Sequence, residues 1–231
     1  MINKNYILIC ARKNSKGIKN KNLKKIGKHS LIEHSIRIAK KINNNYISVS
    51  TDSKKILEIS KKKSVQFLIN RPTSLAKDKT PEIYVWKHFI QVFKKEKNII
   101  PNYLIVLPPT SPLRNIKDIN KCIEKYKSKK FDLVIMGYKT NHNPYFNMVK
   151  KKKYHVEIVN KSKGIFFRRQ DAPEIYNIST ACYIINVKYL SKVDNIYNGR
   201  VGLVEIPTER SIDIDTKLDL KFANFIYNDN K

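Results

Sequence analysis

The chain is 231 residues long and 41% hydrophobic, enough for one domain with a full core; none of its apolar runs reaches the roughly 18 residues that a membrane helix requires. Its formal net charge is +28, but only eight of the 47 cations are arginine, and the lysines spread over expected helices and turns from Lys40-Lys41 to Lys150–Lys153. A nucleic-acid footprint would gather them on one face. Three scattered cysteines, Cys10, Cys122 and Cys182, form neither a disulfide framework nor a zinc cluster. The start, Met1–Asn5, runs straight into a strand without the apolar core and cleavage site of a secretory signal. These features predict a protein of the reducing cytoplasm that binds neither nucleic acid nor membrane, with a field that draws in anionic substrates.

In chain order, Tyr6–Ala11 reads as a buried strand and Leu31–Ile42 as a helix. Tyr46–Ser50 is the next strand, and Ser53–Lys63 a helix capped by its serine. Val65–Ile69 is a strand, Pro81–Lys94 a helix with proline in its first turn, Tyr103–Leu107 a strand, Ile116–Tyr126 a helix and Phe131–Gly137 a strand. The strands are continuously apolar instead of alternating, which indicates a mostly parallel sheet with helices on both faces and an α/β fold. From about 138 to 175 the rhythm breaks into a polar segment rich in Asn, Lys and aromatics, with a hairpin around Lys150–Lys153. It reads as an arm inserted into a single domain spanning 1–231. Ala181–Val187 returns to strand character, and Lys217–Tyr227 is the final helix.

The chemistry concentrates at strand ends. The loop Arg12-Lys13-Asn14-Ser15-Lys16-Gly17-Ile18-Lys19-Asn20-Lys21-Asn22 opens from the first strand, where a ligand cleft is expected. Ser15 and Gly17 allow tight turns that aim backbone N–H groups at phosphate oxygens, while Arg12, Lys16 and Lys21 supply charge. The pattern is neither GxGxxG nor GxxxxGK[ST], and a lysine-rich surface turn is the alternative reading. Near the other end, Asp213 and Asp215 point to the same side of an extended Ser211–Asp215 segment and suit Mg²⁺. Asp215 or Thr216 also reads as the N-cap of the last helix, with Asp219 in its first turn; the two readings are compatible. Asn70-Arg71-Pro72 and Pro108–Arg114 follow the third and fourth strands, and the hydroxyls of Thr110 and Ser111 are expected to face a polyol. Ser111 or Asn115 is the expected cap of Ile116–Tyr126. Arg168-Arg169 in the arm suits a carboxylate or phosphate.

Taken in order, Ala11–Ile18 with Lys21-Asn22, Ser50-Thr51-Asp52, Asn70-Arg71-Pro72, Pro109–Arg114, Asn143-Pro144-Tyr145-Phe146, Arg169-Gln170 and Ser211–Asp215 resemble the acylneuraminate cytidylyltransferase family. The resemblance implies a Rossmann-like fold of the nucleotide-diphospho-sugar transferase type with a dimerisation arm. It implies transfer of CMP from CTP to an acidic nine-carbon sugar by a Mg²⁺-dependent homodimer. Arg12, Ser15, Lys16 and Lys21 would then contact the triphosphate, Asn22 and Arg71 the cytidine, Thr110, Ser111 and Arg169 the sugar, and Asp213 and Asp215 the metal. Pro108 stands where many sialic acid members carry a glutamine, and Asn143–Phe146 looks more like members acting on legionaminic or pseudaminic acid. A Kdo-type synthetase and a basic RNA-binding protein are the alternatives.

Overall fold

The computed structural model describes residues 4–128, 130–161, 164 and 166–229. Residues 1–3, on which the reading of the chain's start rests, lie outside that set, as do 162, 163 and 165 within the expected arm. The chain opens with β1 (Asn5–Cys10), the short pair β2 (Lys25–Ile26) and β3 (His29–Ser30), α1 (Leu31–Ala39), β4 (Asn45–Thr51) and α2 (Lys54–Lys62). β5 (Phe67–Asn70), α3 (Glu82–Lys97), β6 (Tyr103–Val106), α4 (Ile116–Lys127) and β7 (Leu133–Lys139) continue the alternation. After the hairpin β8 (Val149–Lys151) and β9 (Val156–Ile158) come β10 (Tyr176–Asn186), α5 (Val187–Leu190), β11 (Val201–Glu205) and α6 (Lys217–Asp229).

Seven strands form one sheet in the order β11-β7-β10-β6-β1-β4-β5. The pairs β1–β4, β1–β6, β4–β5 and β7–β11 are parallel; β10 runs antiparallel to both its neighbours. Successive residues of β1 alternate between the two faces. Ile7 and Ile9 join a cluster with Ile32 and Ile36 of α1, Ile56 of α2 and Ile119 of α4. Leu8 joins the opposite cluster with Val85, Trp86, Phe89 and Phe93 of α3. Both faces are therefore buried, which is why the strands read as unbroken apolar runs.

The expected elements recur with instructive differences. α1 stops at Ala39 because Lys41 and Ile42 bond back to Ile38 and Ala39, tightening the last turn to i→i+3 spacing. α3 runs past Lys94 to Lys97 and ends where Asn98 takes a left-handed conformation, φ 53°. Asn115, not Ser111, caps α4 by accepting from the Asp118 N–H. β10 begins at Tyr176, before the expected Ala181, and its register breaks between Ser179 and Tyr183. There β10 advances four residues while its partner β7 moves one, from Met136 to Ile135. β11 was not expected from the sequence; it is a short edge strand that pairs with β7 along its whole length, Gly202 included. The polar segment holds the antiparallel β8–β9 hairpin, with Val149, Tyr154, Val156 and Phe167 exposed around it.

Candidate active site

The carboxyl ends of β1, β5 and β6 meet at one cleft of about 250 Å³, lined among others by Cys10, Arg12, Ser15, Lys21, Asn22, Arg71, Asp78 and Thr110. This is where a parallel sheet places its ligands, because the loops leaving neighbouring strands converge there. The structure thus brings together most of the residues read from the basic loop, with Arg71 and Thr110 from the next loops. Lys16 lies just outside the lining, exposed, with Nζ 4.0 Å from Asp78 Oδ2.

The basic loop is shaped by side chains as much as by its backbone. Asn22 is buried and its Nδ2 donates to the Arg12 carbonyl at 2.9 Å, fastening the end of the loop to its beginning. The Lys13 N–H donates to Asp52 Oδ1 at 2.7 Å, tying the loop to the end of β4. Ile18 is buried with Ile26, Leu31 and Ile214. Gly17 serves closeness and not a left-handed turn: a Cβ there would lie 2.1 Å from the Asp215 carbonyl oxygen, and the positive φ of this loop falls on Asn20. Arg71 is also buried, with Nε and Nη2 donating to the Ser50 hydroxyl and carbonyl at 3.2 and 2.7 Å.

The acidic segment docks against that loop. Ile214 is fully buried, and its N–H donates to the Thr110 carbonyl at 2.9 Å, which anchors the strip between the two candidate ligands. Lys21 Nζ reaches Asp215 Oδ1 at 2.8 Å. Asp215 and Thr216 present their N–H groups to Asp219 Oδ2, and the Asp219 N–H returns to Thr216 Oγ1, a reciprocal cap for α6. The capping reading and the paired-carboxylate reading are therefore both compatible with this geometry.

Asp213 differs from Asp215. Its Oδ1 is buried and has no hydrogen-bond partner. Burial pushes its carboxyl above the usual range, assisted by the charge of Asp215 and opposed by hydrogen bonds from Thr110 and Thr180 and by the Lys21 cation. An unpartnered buried carboxylate oxygen is a costly feature that a hard cation would satisfy. Among the described residues no group of three or more His, Cys, Asp or Glu could hold a metal. Two carboxylates leave the rest of a coordination shell to substrate and water, the pattern that Mg²⁺ favours over zinc.

Two expected sugar contacts are placed elsewhere. Ser111 does not face the cleft: it is fully buried, and its Oγ lies 2.6 Å from Thr180 Oγ1. Either hydroxyl of this pair can be the donor, and Thr180 is also among the groups that favour the charged form of Asp213, so the pair adjoins that carboxylate. The irregularity of β10 makes this possible, since Thr180 lies inside the break in register. Arg169 sits in the arm, with Nη1 on Asn141 Oδ1 at 2.7 Å, and lines a separate cavity of about 280 Å³ with Lys139, Asn143 and Glu174. Arg168 is turned to Asp171, both bonds at 3.1 Å.

Sequence reasoning missed two contributors. Asp78 holds Arg12; the only signal for it was an acid in a lysine-rich loop. Arg114, quoted in the sequence only as part of a motif, is a buried clamp: Nη1 donates to the carbonyls of Pro108 and Ala181 at 2.7 and 2.9 Å, and Nη2 donates to Ser35 Oγ. Cys10 lines the cleft, but burial drives its thiol pKa far above the usual value, so no thiolate nucleophile is available there.

The chain is similar to known proteins in sequence and in fold. It is 32% identical over 219 residues to CMP-N,N'-diacetyllegionaminic acid synthase of Campylobacter jejuni, covering 94% of this chain and 92% of that one. It is 31% identical, with the same coverage, to post-translational flagellin modification protein B of Campylobacter coli. In fold it matches a solved structure of CMP:2-keto-3-deoxy-manno-octonic acid synthetase complexed with CTP, with a TM-score of 0.69 at 13% identity over 99% of this chain and 100% of that one. A cytidylyltransferase family model matches residues 6–226, from the first strand with its basic loop through the paired aspartates into α6. The chain therefore belongs to the cytidylyltransferase family and is a nucleotidyltransferase.

Proposed function

We propose that the chain transfers CMP from CTP to the anomeric hydroxyl of a nonulosonic acid of the legionaminic, pseudaminic or sialic type. The observation that carries this reading is the junction of the basic loop with the acidic segment, where Lys21 of the cleft lining meets Asp215 at 2.8 Å. In the reaction the anomeric oxygen forms a bond to the α-phosphorus, the bond from that phosphorus to the β-phosphate bridging oxygen breaks, and pyrophosphate leaves as the hydroxyl proton is lost. Arg12 and Lys21 take up charge on the departing pyrophosphate, with Ser15 and Lys16 beside them. Asn22 and Arg71, both in the cleft lining, are assigned to the cytidine, and Thr110, also in the lining, to the acceptor. Asp213 and Asp215 would hold Mg²⁺, which polarises phosphate oxygens and lowers the pKa of a hydroxyl bound to it. The Ser111–Thr180 pair supports this because Thr180 favours the charged form of Asp213. No covalent enzyme intermediate is required, in keeping with the neutral Cys10 thiol.

The enzyme is further proposed to act as a cytoplasmic homodimer, with the β8–β9 hairpin in the contact. The support is the exposed apolar group Val149, Tyr154 and Val156 on that hairpin, at 55, 85 and 58% exposure. Among the described residues no helix is long and apolar enough to cross a membrane.

Pyrophosphate release tests the reaction, measured with CTP, ATP, GTP and UTP against legionaminic, pseudaminic, sialic and Kdo-type acids, with and without EDTA. Release with CTP and a nine-carbon acid, abolished by EDTA and restored by Mg²⁺, is expected. Turnover confined to the Kdo-type acid would replace the acceptor. Absence of turnover with every acid, alongside tight salt-sensitive RNA binding, would overturn the reading.

A further inference from the structure

Arg12 is held by a carboxylate from a different loop. Asp78 lies between β5 and α3, and its Oδ1 accepts from Arg12 Nη1 at 2.5 Å while its Oδ2 stands 4.0 Å from Lys16 Nζ. Arg12 and Asp78 both line the cleft, so the pair spans two of its walls. Their side chains are 31 and 40% exposed, and an ion pair this open to water adds little to stability. Its consequence is positional. A guanidinium carries five N–H donors in a rigid fork. Among the described residues Asp78 is its only hydrogen-bond partner, and only Nη1 is engaged.

We propose that Asp78 is a positioning residue for the nucleotide. By taking one nitrogen of Arg12 it fixes the plane of the fork and leaves Nε and Nη2 free for phosphate oxygens. It also joins the β1 loop to the β5–α3 loop, so the triphosphate meets a pre-set donor array instead of a wandering side chain. This rests on the reading of the cleft as the CTP site. The opposite possibility, that Asp78 competes with phosphate for Arg12, predicts tighter nucleotide binding when the carboxylate is removed, so the sign of the effect separates the two.

The test measures CTP affinity by calorimetry and steady-state kinetics for Asp78→Asn and Asp78→Glu, each in the native and the Arg12→Lys background. Asp78→Asn is expected to raise Kd and KM for CTP about tenfold, with a fall in kcat of no more than about tenfold because the misplaced Arg12 also meets the departing pyrophosphate. Asp78→Glu recovers most of the affinity. In the Arg12→Lys background, which has no fork to orient, the Asp78→Asn effect shrinks to less than about twofold, a non-additivity that a structural role would not produce. Unchanged or tighter CTP binding in Asp78→Asn, an undiminished effect in the Arg12→Lys background, or a fall in kcat without a rise in KM would each overturn the assignment. If the native protein binds CTP and Asp78→Asn binds it equally, Asp78 alone is misassigned. If the native protein does not bind CTP, the reading of the cleft fails and the assignment with it.

Discussion

Lys21 Nζ lies 2.8 Å from Asp215 Oδ1, and the two side chains are 194 positions apart in the chain. The lysine is 12% exposed and the aspartate 72%, so the cation is enclosed while its partner faces solvent and remains open to other ligands. A lysine placed this way can neutralise a phosphate chain and a carboxylate in turn. Replacing it with methionine, which keeps the stem and removes the charge, is expected to lower kcat/KM for CTP by about 10²–10³, the scale for losing one preorganised charge at a developing anion. Tm should change little, because a pair with one exposed member contributes about 0–1 kcal/mol. Near-native turnover by Lys21→Met would remove the lysine from the reaction.

Gly17 makes the same junction possible from the backbone. An alanine methyl would sit 2.1 Å from the Asp215 carbonyl oxygen and 3.3 Å from its carbon, and neither is the end of a flexible side chain. Either the loop or the acidic strip must retreat. Gly17→Ala is expected to weaken CTP binding by about tenfold to a hundredfold, since a displacement of about 1 Å costs that much at a preorganised site. Because the clash is with backbone anchored by the buried Ile214, the urea midpoint is expected to fall as well. A variant that binds CTP normally would show that the close approach has no bearing on the nucleotide.

The frame of the fold was legible because strands buried on both faces must be apolar throughout, as in Leu104–Leu107, all fully buried. The basic loop and the paired aspartates were legible for a related reason, since strand ends and acids in an acid-poor chain mark themselves. What could not be read depended on distant pairing. The antiparallel direction of β10 is set by β6 and β7, and the break that seats Thr180 appears only against Met136 and Ile135. Ser111 was expected to face a polyol because a hydroxyl in a Pro-rich loop carries no sign of its inward turn. The role of Gly17 likewise needed Asp215, far along the chain, to be in view.

Arg114 shows how the Pro108–Thr110 wall of the cleft is kept in place. It is 4% exposed and bridges Pro108 and Ala181 to Ser35, joining the loop after β6 to β10 and α1. Burial lowers its pKa to about 10, which leaves it charged at neutral pH. Arg114→Met fills much of the same volume but strands two carbonyl oxygens. The expected loss is about 2–4 kcal/mol, from one or two buried acceptors left unsatisfied, read as a lower urea midpoint with an unchanged m-value. A shift under about 0.5 kcal/mol would mean that water or a rearranged loop replaces the clamp.

Asp213 sets activity against stability, and the direction follows from its titration. Its carboxyl is raised above the ordinary value chiefly by burial, so the folded protein holds that proton to higher pH than the unfolded chain does. Stability therefore falls as pH rises from the unfolded value of 3.8, and the cost is complete once pH exceeds the raised folded value. Asparagine keeps the shape and carries no charge. In EDTA at pH 7, Asp213→Asn is expected to have the higher Tm, at about 2–4 °C for each kcal/mol relieved in a chain of this size. That advantage should fade as pH is lowered through the folded pKa towards 4, where the native carboxyl is itself neutral. Adding Mg²⁺ with CTP should reverse the order at pH 7, because binding to the folded state stabilises it and only the native protein keeps both carboxylates. Turnover of the variant should fall by at least about 10³, the scale of a lost metal ligand at a phosphoryl centre. Calorimetric scans at pH 4 and 7, with EDTA or with Mg²⁺ and CTP, measure all of this together. A variant less stable than the native protein at pH 7 in EDTA, or one that keeps its activity, would show that Asp213 is held for structure and not for a cation.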